Sequence, residues 1–177
     1  MHRSTISLFA VLATALIATT VALPGESAVV RIQPSTSTQI DYRGFRDLTQ
    51  EVQAYRDARL VNLSTFQKMS RELHTIILDA RSAAAFKAGH IKGAVNLSFS
   101  DFTAQSLAAT LGNPSTRILI YCNNNFENNE PPVLTKSVKL ALNIQTFINL
   151  YGYGYRNVYE LGDVVNFNDP EVHWVKG

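Results

Sequence analysis

The chain has 177 residues, 46% of them apolar and 17% charged, which suits a globular domain and excludes wholesale disorder. Its 16 Lys+Arg against 14 Asp+Glu leave a net charge of +2. With no basic cluster, that balance argues against nucleic acid or an anionic membrane as a partner. The single cysteine excludes an internal disulfide, a CxxC redox pair and a cysteine zinc site.

His2 and Arg3 form a short basic start, followed by an uncharged stretch whose apolar centre runs from Ile6 to Ala18 and ends in Thr20-Val21-Ala22. This layout predicts a secretory signal peptide over residues 1–22. An uncleaved N-terminal anchor is the alternative, and either way the folded part is expected outside the cytoplasm, periplasmic or extracellular. Residues 23–45, with Pro24, Gly25, Pro34 and Ser35-Thr36-Ser37-Thr38, read as a flexible lead-in, leaving 46–177 as a single domain.

Leu48, Val52 and Tyr55 recur at helical spacing and predict a helix over 46–57. Leu60–Leu63 reads as a short strand, and Ser64 as the cap of a helical turn through Phe66 and Met69. Thr75-Ile76-Ile77-Leu78 is a compact run suited to a buried parallel strand. An alanine-rich helix over 82–88 stops at Gly89, a strand resumes at Ala94–Leu97, and a helix over 99–111 ends at Gly112-Asn113-Pro114. Arg117–Tyr121 is the most apolar strand. An asparagine-rich loop, a helix over 135–150 and a strand at Asn157–Leu161 complete the pattern. The Tyr151–Tyr155 segment, tyrosines alternating with glycines, reads as a cap on the core, and Trp174 as a packing residue. Strands alternating with helices predict an α/β domain with a mainly parallel sheet.

Cys122 directly follows the strand 117–121. In open α/β sheets, ligands bind beyond the carboxyl ends of strands, where loop N–H groups and a following helix favour an anion. Such surroundings can make a thiol a nucleophile. The alternative is a small core hydrophobe at a strand end.

Ile77-Leu78-Asp79-Ala80-Arg81, then Phe86 and Gly89-His90-Ile91-Lys92-Gly93-Ala94-Val95-Asn96-Leu97, resemble the rhodanese signature, a DxR strand end followed by GHIxGAxN. Gly154–Val158 leading to Leu161-Gly162 fits the same family, so the resemblance covers roughly residues 50–170. It implies a rhodanese-like fold, a five-stranded mainly parallel sheet with helices on both faces. It also implies a sulfurtransferase reaction in which Cys122 attacks a sulfane donor, holds a persulfide and passes the outer sulfur to cyanide or a thiol. No cofactor is implied, and His90, lacking neighbouring ligands, reads as a turn residue bonded to backbone rather than a metal ligand.

Around Cys122, residues Asn123, Asn124, Asn125, Phe126, Glu127 and Asn128 are expected to form the active-site loop and anion cradle. Asparagine tolerates positive φ, so the run could curl its N–H groups inward. Asp79 and Arg81, at the end of the neighbouring strand, read as a two-point pair that positions the loop or as a purely architectural salt bridge, rather than as catalytic groups. Lys136 and Lys139, in the first turns of the next helix, read either as an offset to Glu127 and Glu130 or as a solvated helix face. The loop is longer than the family's six-residue form and lacks its glycine and basic positions. Asn128, six residues after the cysteine, cannot supply the arginine that the fold's phosphatases require, which argues against that activity. The expected function is therefore an exported sulfurtransferase using a persulfide on Cys122, served by a small sulfur donor and a thiol or cyanide acceptor. The alternative is a non-catalytic binding module that meets a partner protein through the long Asn/Glu loop.

Overall fold

The computed structural model describes residues 39–177. The expected signal peptide and most of the lead-in lie outside the described residues. Helix α1 spans Tyr42–Asp57, four residues earlier than the expected start, because the Asp41 side chain accepts the Gly44 N–H and caps the first turn. Strand β1 is only Leu60–Val61, since Asn62 turns out of it to cap helix α2 (Leu63–Ser70) by accepting from the Thr65 N–H. Asn62, not Ser64, is thus the cap. Strand β2 (Thr75–Asp79) leads into helix α3 (Ala83–Ala88), capped by Ser82 and ended by Gly89.

Two short strands follow, β3 (His90–Ile91) and β4 (Val95–Asn96). The expected helix over 99–111 is broken. A 3-10 turn at Phe99–Asp101 precedes helix α4 (Ala104–Leu111), because Thr103 and Ser106 form a reciprocal capping box that restarts the chain. Strand β5 is Arg117–Tyr121, helix α5 is Leu142–Gly152, strand β6 is Val158–Leu161 and strand β7 is Trp174–Val175.

The main sheet is five-stranded in the order β1-β6-β5-β2-β4, and every pairing in it is parallel. Alternation along the central strands sends Leu78, Ile118, Ile120 and Val158 to one face, where they pack with Val52 of α1, Leu107 of α4 and Phe147 of α5. Ile77, Leu119, Tyr121 and Leu161 point to the other face, against Phe66 of α2, Ile91 of β3 and Val172. Helices therefore cover both faces, which is why the strands read as continuous apolar runs. The tyrosine–glycine segment closes the first core, with Tyr151 and Tyr155 buried and Gly154 at φ +94°.

The antiparallel pairing of β3 with β7 was not anticipated. It brings Trp174 against Gly89, where an added Cβ would sit 2.5 Å from the indole Nε1. Gly89 is thus a close-approach glycine, whereas Gly93 (φ +85°) supplies a backbone angle. His90 Nδ1 donates to the Phe86 carbonyl at 2.9 Å and the ring stacks on Phe86. Among the described residues no cluster of His, Cys, Asp and Glu is arranged to hold a metal ion.

Candidate active site

Cys122 directly follows β5, and the same alternation that buries Ile120 turns its side chain toward the face covered by α5. The first turn of α5 is capped by no side chain, because Ala141 occupies the cap position. Its free N–H groups instead meet the sulfur: those of Asn143 and Leu142, with that of Asn124 from the loop, act on the thiol and favour its ionised form. Cys122 is 1% exposed. Burial dominates over these N–H groups and, with the negative charge of Glu160, pushes the thiol up from its ordinary value.

The cradle is smaller than the sequence suggested, and backbone bookkeeping explains why. Phe126 and Glu127 give their N–H groups to Asn123 O and Val165 O at 3.1 and 3.0 Å, so they cannot face the sulfur, whereas the Asn125 N–H, bonded to Cys122 O at 3.1 Å, also serves the Cys122 side chain in a reciprocal capping box. Phe126 is buried in the second core beside Tyr121 and Trp174. Glu127 is exposed and accepts from Asn166 Nδ2, while Asn128 accepts from the Phe167 N–H and donates to Asn166. From Phe126 onward the loop runs beside residues 165–167, away from the thiol. Phe126, Glu127 and Asn128 are therefore bracing residues rather than cradle residues.

The asparagines work through their side chains rather than through positive φ, which among them only Asn129 adopts (φ 46°). Asn123 Nδ2 donates to Leu134 O at 2.9 Å. Asn124 pairs with Lys136 twice, donating to its carbonyl at 2.8 Å and accepting its N–H at 3.2 Å. Asn129 Oδ1 accepts the Thr135 N–H. These bonds consume the backbone groups that a helix from 135 would need, so helix α5 begins only at Leu142. Lys136 consequently stands on an extended segment at the rim of the site, exposed, rather than in a helix turn.

Asn125 is buried beneath the thiol. Its Oδ1 accepts the Cys122 N–H and Asn143 Nδ2, both at 2.9 Å, and its Nδ2 donates to Leu161 O and Asp163 O. Asn143 also donates to Glu160 Oε1 at 3.2 Å, and Glu160, 4% exposed, takes a two-point bond from Arg56 at 2.5 and 2.6 Å. Arg56, Asn143 and Glu160 were missed by sequence reasoning. The only signal available was a lone charged residue inside the otherwise apolar strand β6.

On the opposite face, Arg81 grips Asp79 through Nε and Nη2 (2.9 and 2.6 Å), and the Tyr121 hydroxyl donates to the same carboxylate at 2.6 Å. Arg81 Nη2 also donates to Gly89 O. The two-point pair is present, but its hydrogen bonds run to Gly89 and Tyr121 and hold strand ends and the β3 turn together rather than the loop after Cys122.

A pocket of about 270 Å³ opens between Cys122, Asn123, Asn124, Lys136, Leu142 and the Arg81-Ser82 turn, with Ser98 also in its wall. Its charged lining residues are Arg81, whose charge is paired with Asp79, and Lys136 at the rim, and neither Glu127 nor Glu130 contributes to it. The wall offers hydroxyls, amides and positive charge, which suits a small anion.

The family model for the rhodanese-like domain matches residues 62–164, more than half of the chain. The chain is 25% identical over 124 residues to an adenylyltransferase and sulfurtransferase of Sclerotinia sclerotiorum, covering 65% of this chain and 26% of that protein. It is 32% identical over 80 residues to the chloroplastic rhodanese-like domain-containing protein 14 of Arabidopsis thaliana, covering 43% of this chain and 34% of that one. The chain thus spans about a quarter to a third of the length of these relatives.

Proposed function

The chain belongs to the rhodanese-like domain family, and from that premise we propose that it is a sulfurtransferase carrying a sulfane sulfur as a persulfide on Cys122. One observation carries the reading. The thiol directly follows a central strand with N–H groups from two elements turned to its sulfur, beside a pocket whose rim carries Lys136. A relative named as a sulfurtransferase is consistent with it.

In the reaction, the Cys122 thiolate attacks the outer sulfur of an anionic donor such as thiosulfate. A sulfur–sulfur bond forms to Cys122, the donor's own sulfur–sulfur bond breaks, and sulfite leaves with the electron pair. The N–H groups of Asn124, Leu142 and Asn143 then hold the persulfide anion. A thiol or cyanide takes the outer sulfur and returns Cys122 as thiolate. The chain's residues suffice for this chemistry without a cofactor. We also propose that the protein is exported, to the periplasm or beyond, on the strength of the pattern over residues 1–22.

Intact-mass measurement after incubation with thiosulfate tests this. A gain of one sulfur atom, absent in Cys122→Ser, is expected. No adduct with any sulfane donor at any pH would favour a second reading, a non-catalytic module that contacts a protein partner through the long loop. The burial of the thiol is the observation on that side.

A further inference from the structure

Cys122 and Asn124 are shared by a second recess of about 420 Å³, bounded otherwise by residues that the donor pocket does not use. Its chemistry is different. Its two charged residues, Arg56 and Glu160, are bonded to each other and cancel. Its rim is apolar and open to solvent: Leu60 is 41% exposed, Val164 63% and Val138 79%.

Asn143 lines this recess and is 4% exposed. Its Nδ2 points between two acceptors, Asn125 Oδ1 and Glu160 Oε1, which fixes the orientation of the amide. Asn143 Oδ1 then has no donor among the described residues. A buried carbonyl oxygen without a donor is costly, and beside a recess it marks a place for an N–H from outside the chain.

Resting on the persulfide reading above, we propose that this second recess is the acceptor door. A cysteinyl segment of a peptide or protein enters it, with a backbone N–H on Asn143 Oδ1 and apolar flanks on Leu60, Val138 and Val164. Small anionic donors arrive instead through the pocket rimmed by Lys136. In this arrangement donor and acceptor approach the same sulfur from different recesses. The acceptor enters as thiolate, its proton given to solvent, and attacks the outer sulfur of the Cys122 persulfide. A sulfur–sulfur bond forms to the acceptor, the bond to Cys122 breaks, and Cys122 keeps the electron pair. Cancelled charge and an apolar rim favour an acceptor whose thiol is carried between uncharged, apolar flanks over a small free anion.

The full-length protein is loaded with thiosulfate, freed of donor, and discharged with the neutral peptide acetyl-Leu-Cys-Val-amide or with cyanide, both steps followed by intact mass. In Val138→Glu, the ratio of peptide discharge to loading should fall about tenfold or more, the worth of one apolar contact exchanged for a charge. Val164→Glu, at a second exposed position, should act the same way. Lys136→Glu should move the ratio in the opposite direction, and discharge to cyanide should follow neither rim valine. Equal loss of both steps, or an unchanged ratio in both valine variants, overturns the proposal. Absence of loading in the unmodified protein removes the persulfide reading itself, and the acceptor door with it.

Discussion

Two buried polar networks sit at the same end of the central sheet, on opposite faces, and they are finished to different degrees. Around Asp79, the carboxylate is filled by Arg81 and Tyr121, the tyrosine hydroxyl accepts the Ile91 N–H, and the guanidinium lies 5.5 and 5.4 Å from the Tyr121 and Trp174 ring centroids. Around Cys122, the thiol and Asn143 Oδ1 are equally deep, yet both border open recesses. Within the arginine only Nη1 lacks a hydrogen-bond partner among the described residues, and the guanidinium lies against two aromatic rings, so this pair is spent on holding the fold. A thiol and a carbonyl left with capacity are available to a ligand.

The sharpest way to break this comparison is Arg81→Ala. It leaves the wholly buried Asp79 with the Tyr121 hydroxyl and the backbone N–H of residue 81 but no cation to answer it, and breaking a buried pair by removing one partner costs about 3–5 kcal/mol. Urea denaturation should register that loss. A change under about 1 kcal/mol, the range of exposed pairs, would show that the knot is not structural.

The difference between the networks also explains what was legible beforehand. Asp79, Arg81 and the GHIxGAxN turn lie within a short stretch, so their joint role could be read from local spacing. The parallel sheet followed from apolar strands alternating with helices, though the order of its strands did not. The thiol's surroundings could not be read the same way, because Cys122 meets Asn143 and Glu160 only through packing of α5 and β6 onto β5, up to 38 residues along the chain for Asn125's contact with Asp163. The asparagine run misled for a related reason. Its composition signals loop, but whether each amide braces backbone or frees an N–H depends on which distant carbonyl lies opposite, as with Asn124 and Lys136.

Asn125→Ala sharpens the contrast at the next level of effect. The substitution strips the Cys122 N–H, Asn143 Nδ2 and two carbonyls of their partner, at about 1–3 kcal/mol for the buried groups left unsatisfied. Unlike Arg81→Ala, it should also disorder the thiol's orientation, so sulfur loading should fall by more than the loss of folded protein accounts for. Loading that merely tracks the folded fraction, measured by circular dichroism at the same urea concentration, would make Asn125 a fold residue like Asp79.

Glu160→Gln carries the smallest cost in stability, because glutamine keeps an acceptor for Asn143 and Arg56 remains partly exposed to water. Its effect is on ionisation. Burial raises the Cys122 thiol first, the N–H groups of Asn143 and Asn124 work against that, and the Glu160 charge raises it further. In the unmodified protein the alkylation rate by neutral iodoacetamide should therefore climb with pH and reach half its plateau above the ordinary thiol value of about 8.5. Removing the carboxylate charge removes one upward push and leaves the Arg56 cation nearby, so the half-point must move down and the rate at neutral pH must rise. Each unit of downward movement makes the thiolate about tenfold more abundant well below the half-point. A half-point that stays in place would mean that Glu160 serves only to seat Arg56 and Asn143. The open network would then tune the thiol through its N–H groups alone.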